Sequence, residues 1–213
     1  MTSPRRALIL IDVQQEYFDG PLEIQYPPHA DSLPQITNAI DVAAAAGIPV
    51  VAVQHTMGEG APVFDPTRPG FRLHPDVDAR KTDEWKTIVK DYGTVFAGTD
   101  LVSWLREREI DTVTLVGYMT NNCVIASAAE AETHGISAEV LADATGAINI
   151  ANDAGFVDAR TVHTTLLALL NSNFAAVADT ATWSGAVAAG EALPKSDLGA
   201  SAVTGAQLAA SLV

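Results

Sequence analysis

Short segments rich in aliphatic residues recur along this chain, and most are followed by a segment with a helical pattern. The first run is "ALILIDV" at 7–13, and others lie at 49–54, 111–117, 137–143 and 174–179. Continuous apolar runs of this length indicate strands that are covered on both faces, as in parallel sheets. Because parallel strands need crossover connections, we predict a three-layer α/β/α, Rossmann-like domain with a mostly parallel sheet of about six strands.

Helical patterns occupy most of the intervals, at 32–46, 99–109, 123–134 and 155–172. The interval 55–84 is rich in Gly, Pro, Asp and Arg and is predicted to form long loops. In such folds ligands bind beyond the carboxyl ends of the strands. This rule selects Asp12, the pair Gln54 and His55, and the segment 117–123.

The last part of the chain differs in composition from the rest. Residues 1–179 are predicted to form the domain, whereas residues 180–213 are a tail rich in Ala, Gly and Ser. Because the tail has few large side chains, we expect it to be ordered by docking on its own domain or on a neighbouring subunit. A homo-oligomer is expected, and an ordered tail is compatible with it.

Charge and cysteine content exclude several classes of function. A formal charge of −14 gives no basic surface for nucleic acid and would be repelled by anionic lipid. The apolar run near the N-terminus is far shorter than the roughly 20 residues of a membrane span, and it reads better as a strand than as a signal peptide. A single cysteine cannot form an internal disulfide, so a cytoplasmic location is expected.

Cys123 lies where a buried strand gives way to a helix. A free cysteine is often only a small buried apolar residue. At a helix start, however, backbone N–H groups would stabilise a thiolate and lower the pKa of the thiol. Asp12, at the end of the first strand, could be a turn residue or a catalytic carboxylate. Lys90 could be an exposed lysine, or it could favour the thiolate if it lies near these two groups.

Three motifs occur in order: "LILIDVQQEYF", "KDYGTVFAGTDL" and "VTLVGYMTNNCV". Together they closely resemble the isochorismatase-like cysteine hydrolase superfamily, which includes nicotinamidases and N-carbamoylsarcosine amidase. The resemblance covers residues 7 to about 178. It implies that Cys123 is the nucleophile of an amide hydrolase that works through a thioester, with Asp12 as general base and Lys90 as the third triad member.

The same resemblance implies further features of the site. Members of this superfamily carry a cis peptide bond before the Thr of the third motif, here between Tyr118 and Met119. The Met119 N–H would then join the N–H of Cys123 in an oxyanion hole. From their positions beside Asp12 and Cys123, and not from the resemblance, Tyr17, Phe18 and Tyr118 are expected either to contact a small-molecule substrate or simply to pack. His55 is expected either to contact that substrate or to be an ordinary loop histidine.

Nicotinamidases carry a metal-binding Asp-x-His after the second strand, and the matching stretch here is "VAVQHTMGEG". This stretch lacks the pair, so we predict no metal and no cofactor. An intact set of Asp12, Lys90 and Cys123 favours hydrolysis of an amide, cyclic amide, carbamoyl or ureido C–N bond. Two alternatives stay open: an isochorismatase-type vinyl-ether hydrolase that does not need the thiol, and a non-catalytic binding domain with an inert thiol.

Overall fold

The computed structural model describes residues 3–211, and a six-stranded parallel sheet forms its centre. The sheet strands are β1 (Arg6–Ile11), β2 (Val50–His55), β3 (Lys86–Lys90), β4 (Thr112–Tyr118), β5 (Ser137–Gly146) and β8 (Ala175–Ala178). Their order across the sheet is β3-β2-β1-β4-β5-β8, and all neighbours are parallel. The short strands β6 (Ile150–Asn152) and β7 (Gly155–Val157) form a separate antiparallel hairpin.

Helices cover both faces of the sheet. They are α1 (His29–Ala45), α2 (Pro75–Asp78), α3 (Leu101–Glu107), α4 (Ile125–Ala131), α5 (Ala159–Leu169), α6 (Thr180–Ala189) and α7 (Leu198–Ala210). Alternate residues of β1 enter opposite cores: Ile9 packs with α3 and α4, and Leu10 packs with α1 and with Trp183 of α6. The predicted three-layer α/β/α fold is therefore confirmed.

Strand β3 was not identified from the sequence, although it carries Lys90. It is an edge strand, and its exposed residues Thr87 and Val89 alternate with the buried Ile88 and Lys90. A half-exposed strand with a lysine at each end lacks the continuous apolar run by which the other sheet strands were recognised.

The helix predicted at 155–172 is shorter than expected. Its first residues form strand β7 of the hairpin, and α5 begins at Ala159. Asp158 caps the helix, because its side chain accepts a hydrogen bond of 3.0 Å from the N–H of Thr161. The hairpin was missed because its strands are only three residues long.

The tail is in contact with the sheet of its own chain. Trp183 is fully buried and its indole N–H lies 3.1 Å from Thr114 Oγ1 and 3.2 Å from Glu139 Oε2. By contrast, α7 contributes no buried residue. The boundary at residue 179 and a subunit contact through the tail stay predictions. Within residues 3–211, no helix has both the length and the apolar character needed to cross a membrane.

Candidate active site

Three side chains from separate strands meet at the carboxyl edge of the sheet. Asp12 directly follows β1, Lys90 ends β3, and Cys123 lies in the wide turn Thr120–Val124 that leads into α4, called the Cys123 turn below. The ammonium Nζ of Lys90 is 2.8 Å from Asp12 Oδ2 and 3.4 Å from Cys123 Sγ. Asp12, Lys90 and Cys123 are all buried, with exposed fractions of 0%, 2% and 2%. The structure thus brings together the three residues that the motifs selected.

The carboxylate of Asp12 keeps its lone pairs available. Lys90 is close enough for an ion pair, yet among the described residues neither oxygen of Asp12 accepts a well-aligned hydrogen bond. Burial raises the pKa of Asp12, and the positive charge of Lys90 opposes this shift. A buried carboxylate with free lone pairs and a raised pKa is suited to accept a proton from a neighbouring group.

The expectation of a lowered thiol pKa at Cys123 was wrong. Burial and, second, the negative charge of Asp12 raise the pKa of Cys123 to about 12, while Lys90 lowers it less. Loss of hydration is the largest cause of this shift, and the charge of the adjacent Asp12 carboxylate is the second. The resting group is therefore a thiol, and it needs a base when it attacks.

The ammonium of Lys90 is fixed by two further contacts. It donates to the carbonyl oxygen of Tyr92 at 3.1 Å and lies 3.4 Å from Nδ1 of His55. Burial and the charge of Lys90 lower the pKa of His55 to about 4, so its imidazole is neutral at neutral pH. A neutral ring can accept at Nδ1 from Lys90 and present its other nitrogen as a donor.

Aromatic rings pack beside the triad. The ring of Tyr17 lies 5.6 Å from that of Tyr118 and 5.3 Å from that of Phe64. Phe18 contacts Tyr118 with a ring distance of 5.7 Å. Burial and, second, the negative charge of Asp12 raise the pKa of Tyr17. Of the four predicted contact residues, Tyr17, Phe18 and Tyr118 therefore form one cluster, and His55 contacts Phe64 at its edge.

The hydroxyl of Tyr118 is engaged by a residue of α1 and is therefore not available to a ligand. Its hydroxyl is 2.8 Å from Ser32 Oγ on α1, and the whole side chain is buried. Phe64 was not predicted, because it lies in the interval 55–84 that reads only as loop. No local pattern in that interval shows that the loop returns to β1.

Gln14 ties that loop to the site. Its amide donates to the carbonyl oxygens of His55 and Phe71 at 3.0 and 2.9 Å, and its oxygen accepts from the N–H of His55 at 2.8 Å. Gln14 is fully buried, so these bonds replace its hydration. The Asp-x-Gln motif contains this residue, but sequence alone did not reveal its partners.

The Cys123 turn is built from close backbone contacts. The peptide bond between Tyr118 and Met119 is cis, and the Met119 carbonyl accepts from the N–H groups of Asn122 and Val124 at 3.1 and 3.2 Å. Ser127 donates to the Cys123 carbonyl at 2.6 Å. Of the residues proposed for the oxyanion hole, Met119 thus directly precedes this turn and Cys123 lies within it.

Glycine is required just before this turn. Gly117 has a φ of 103°, and a Cβ atom there would collide with the backbone oxygen of Ile11. Since Ile11 precedes Asp12, this close approach of β4 and β1 brings the carboxylate toward the Cys123 turn.

The described residues do not fit a metal ion of the nicotinamidase type. Within 3–211, no three His, Cys, Asp or Glu side chains are grouped closely enough to hold one. Nδ1 of His55 is directed to Lys90, and Nδ1 of His74 accepts from the N–H of Asp76 at 3.2 Å.

An open cleft of about 710 Å³ lies away from the triad. It is lined at the amino ends of β4 and β5 by residues that include Thr112, Ser137 and Glu139. At the carboxyl edge, by contrast, Cys123 is buried.

Residues 6–182 match the family model of the Isochorismatase domain. A crystal structure from Burkholderia xenovorans LB400, provisionally named an isochorismatase, is 44% identical, with a TM-score of 0.94 over 98% of this chain and 100% of that chain. The isochorismatase family protein YrdC of Bacillus subtilis (strain 168) is 30% identical over 178 residues, which span 83% of this chain and 92% of YrdC. The nicotinamidase/pyrazinamidase of Mycobacterium tuberculosis is 27% identical over 165 residues, which span 68% of this chain and 88% of that enzyme.

Proposed function

Because this chain belongs to the isochorismatase family of hydrolases, we propose that it cleaves a small, non-peptide carbon–nitrogen bond through a thioester on Cys123. The substrate class is an amide, cyclic amide, carbamoyl or ureido compound. The observation that carries the proposal is the buried contact of Lys90 with both Asp12 and Cys123. The similarity to a nicotinamidase/pyrazinamidase supports a carbon–nitrogen bond as the target.

In the first half-reaction, Cys123 Sγ attacks the carbonyl carbon and its proton passes to the carboxylate of Asp12. The raised pKa of the thiol makes this transfer part of the attack, since little thiolate exists beforehand. The N–H groups of Met119 and Cys123 hold the oxyanion. Asp12 then gives the proton to the leaving nitrogen, the C–N bond breaks, and a thioester remains.

In the second half-reaction, water attacks the thioester carbonyl and its proton goes to Asp12. The C–S bond breaks, the carboxylic acid leaves, and the proton returns to Cys123. Lys90 exchanges no proton in the proposed steps. Its contact with Asp12 orients the carboxylate, and its contact with Sγ offsets negative charge that develops on sulfur.

The surroundings favour a small and partly flat substrate. Cys123 is 2% exposed, and the rings of Tyr17 and Phe18 pack on the same side of the site. Lys90 is already paired with Asp12, which leaves it less able to bind a substrate carboxylate. We therefore infer that the group next to the scissile bond is uncharged.

The test is the release of ammonia or amine from a panel of primary amides, cyclic amides and ureido compounds. We expect turnover by the wild-type chain and its loss in Cys123→Ala and Cys123→Ser, with unchanged melting temperatures. Equal turnover in wild type and Cys123→Ala would eliminate the thioester mechanism.

A second candidate is hydrolysis of a vinyl ether, which the name of the matching domain favours. There Asp12 would protonate the substrate and the thiol would be dispensable. Isochorismate turnover that persists in Cys123→Ala and disappears in Asp12→Asn would support it. A chain inert in both assays, with a thiol that is not alkylated, would favour a binding domain. A cytoplasmic location and a homo-oligomer stay predictions.

A further inference from the structure

A buried polar cluster lies behind the Cys123 turn, and none of the proposed chemical steps uses it. Thr120 Oγ1 is 3.1 Å from Thr145 Oγ1 and 2.9 Å from Nδ1 of His163. Thr120 and Thr145 are fully buried, and His163 is 4% exposed. Thr145 belongs to β5 and His163 to α5, so the cluster joins two other elements to the turn.

We propose that His163 is a positioning residue for the reaction: its neutral imidazole accepts the Thr120 hydroxyl and holds the Cys123 turn in its productive orientation. This inference rests on the proposed function, because the orientation matters only if Met119 and Cys123 direct their N–H groups at a substrate oxygen. No motif identifies His163, which lies within an ordinary helical pattern.

The direction of the hydrogen bonds is assigned for a neutral ring. Burial lowers the pKa of His163 to about 4, so the ring is neutral at neutral pH. A neutral ring has one N–H and one bare nitrogen. We assign Nδ1 as the bare nitrogen, which accepts from the Thr120 hydroxyl 2.9 Å away, and Thr145 then donates to Thr120.

The position of Thr120 makes this contact relevant to the chemistry. It directly follows Met119 and starts the turn that contains Cys123, so a shift of its side chain moves both proposed oxyanion donors. His163 is itself fixed. The ring of Tyr26 lies 5.6 Å from it at a steep angle, and the guanidinium of Arg160 covers Tyr26 at 4.5 Å.

Two substitutions separate positioning from simple packing. The amide of Asn can take the place of Nδ1, whereas the amide of Gln reaches the position of Nε2. Using an amide that the wild-type chain hydrolyses, we expect His163→Gln to lower kcat by about tenfold with little change in KM. His163→Asn should stay within about threefold of wild type, because it keeps an acceptor for Thr120.

The partner residue gives a second pair of variants. Thr120→Ser keeps the hydroxyl and should retain a kcat close to that of wild type. Thr120→Val removes the hydroxyl at nearly equal volume and should lower kcat as much as His163→Gln does. His134→Gln is a matched control, since that histidine pairs with Glu130 at the end of α4 and should leave kcat unchanged. Wild-type kcat in His163→Gln, or an equal loss in His163→Asn, would overturn the inference.

Amide hydrogen exchange tests the contact between His163 and Thr120 and needs no substrate. We expect the amides of residues 119–124 to exchange about fivefold faster in His163→Gln than in His163→Asn, at matched global stability. Equal protection in the two variants would overturn the positioning role. If no amide is hydrolysed but the difference in exchange appears, the proposed function fails while the structural contact stands.

Discussion

Lys90 Nζ and Asp12 Oδ2 lie 2.8 Å apart, and neither side chain is accessible to solvent. The two residues belong to strands that are not neighbours, because β2 lies between β3 and β1. An ion pair that spans three strands links catalysis to the integrity of this part of the sheet. Removing one charge would leave the other buried without compensation.

We expect Lys90→Met to lower the free energy of unfolding by about 3–5 kcal/mol, since it leaves the Asp12 carboxylate buried and unpaired. The double variant Asp12→Asn with Lys90→Met should recover much of that loss. Urea denaturation measures both. Lys86→Met is the matched control: Lys86 lies on the same strand and is 2.8 Å from the exposed Asp100, so its loss should cost about 1 kcal/mol or less. A stable Lys90→Met protein would contradict this account of the pair.

Asp12→Asn should separate thiol reactivity from hydrolysis. The charge of Asp12 raises the pKa of Cys123, so its removal should lower that pKa while Lys90 remains. We expect faster alkylation by iodoacetamide near pH 8 than in wild type, together with loss of amide hydrolysis. A pH series of labelling rates, with Cys123→Ser as the blank, checks this. Slower labelling in Asp12→Asn would show that the carboxylate does not disfavour the thiolate.

Gly117→Ala should be among the most damaging small substitutions in this chain. The new Cβ meets the backbone oxygen of Ile11, and the φ of 103° is unfavourable for alanine. We expect a loss of about 3 kcal/mol or more in unfolding free energy, with loss of activity. Gly135→Ala is the control, because its φ of 72° is also positive but nothing lies near a Cβ there. That variant should lose only about 1–2 kcal/mol.

Stability should fall on acidification as His163 becomes protonated. Its pKa is about 4 in the folded chain against an ordinary 6.5, so the unfolded chain binds the proton first. Its contribution is complete above pH 6.5 and is lost progressively toward pH 4, by about 3 kcal/mol in all.

His55, whose pKa is also about 4, contributes in the same range. The quantity to measure is therefore the difference in unfolding free energy between wild type and His163→Asn at several pH values. That difference should shrink as the pH falls from 6.5 toward 4. A difference that does not change with pH would mean that His163 titrates normally.

Much of the fold could be predicted because the central strands are rich in aliphatic residues. Strands such as β1 and β4 are buried along their full length, and burial of both faces leaves a clear pattern. The edge strand β3 and the hairpin gave no such pattern, since two of the five residues of β3 and most residues of the hairpin strands are exposed. Local composition cannot show which polar segments will pair.

The residues of the site also include some that the sequence identified and some that it did not. Asp12, Lys90 and Cys123 lie at strand ends within recognisable motifs, and the structure places them together. Phe64 and His163 reach the site through contacts with residues far away in the chain. The direction of the pKa shift at Cys123 could not be predicted from the sequence either, because it depends on burial and on the distance to Asp12.

The place of Lys90 on β3 has a consequence for heat resistance. An outer strand is bonded to the sheet along one side only, and local opening of such elements takes less free energy than unfolding of the whole domain. Fraying of β3 would withdraw the ammonium from the carboxylate while the central strands remain intact. We therefore expect enzymatic turnover to fail at a lower temperature than the calorimetric transition, and to return on cooling. Coincident loss of turnover and of helical circular dichroism would show instead that the outer strand melts with the rest.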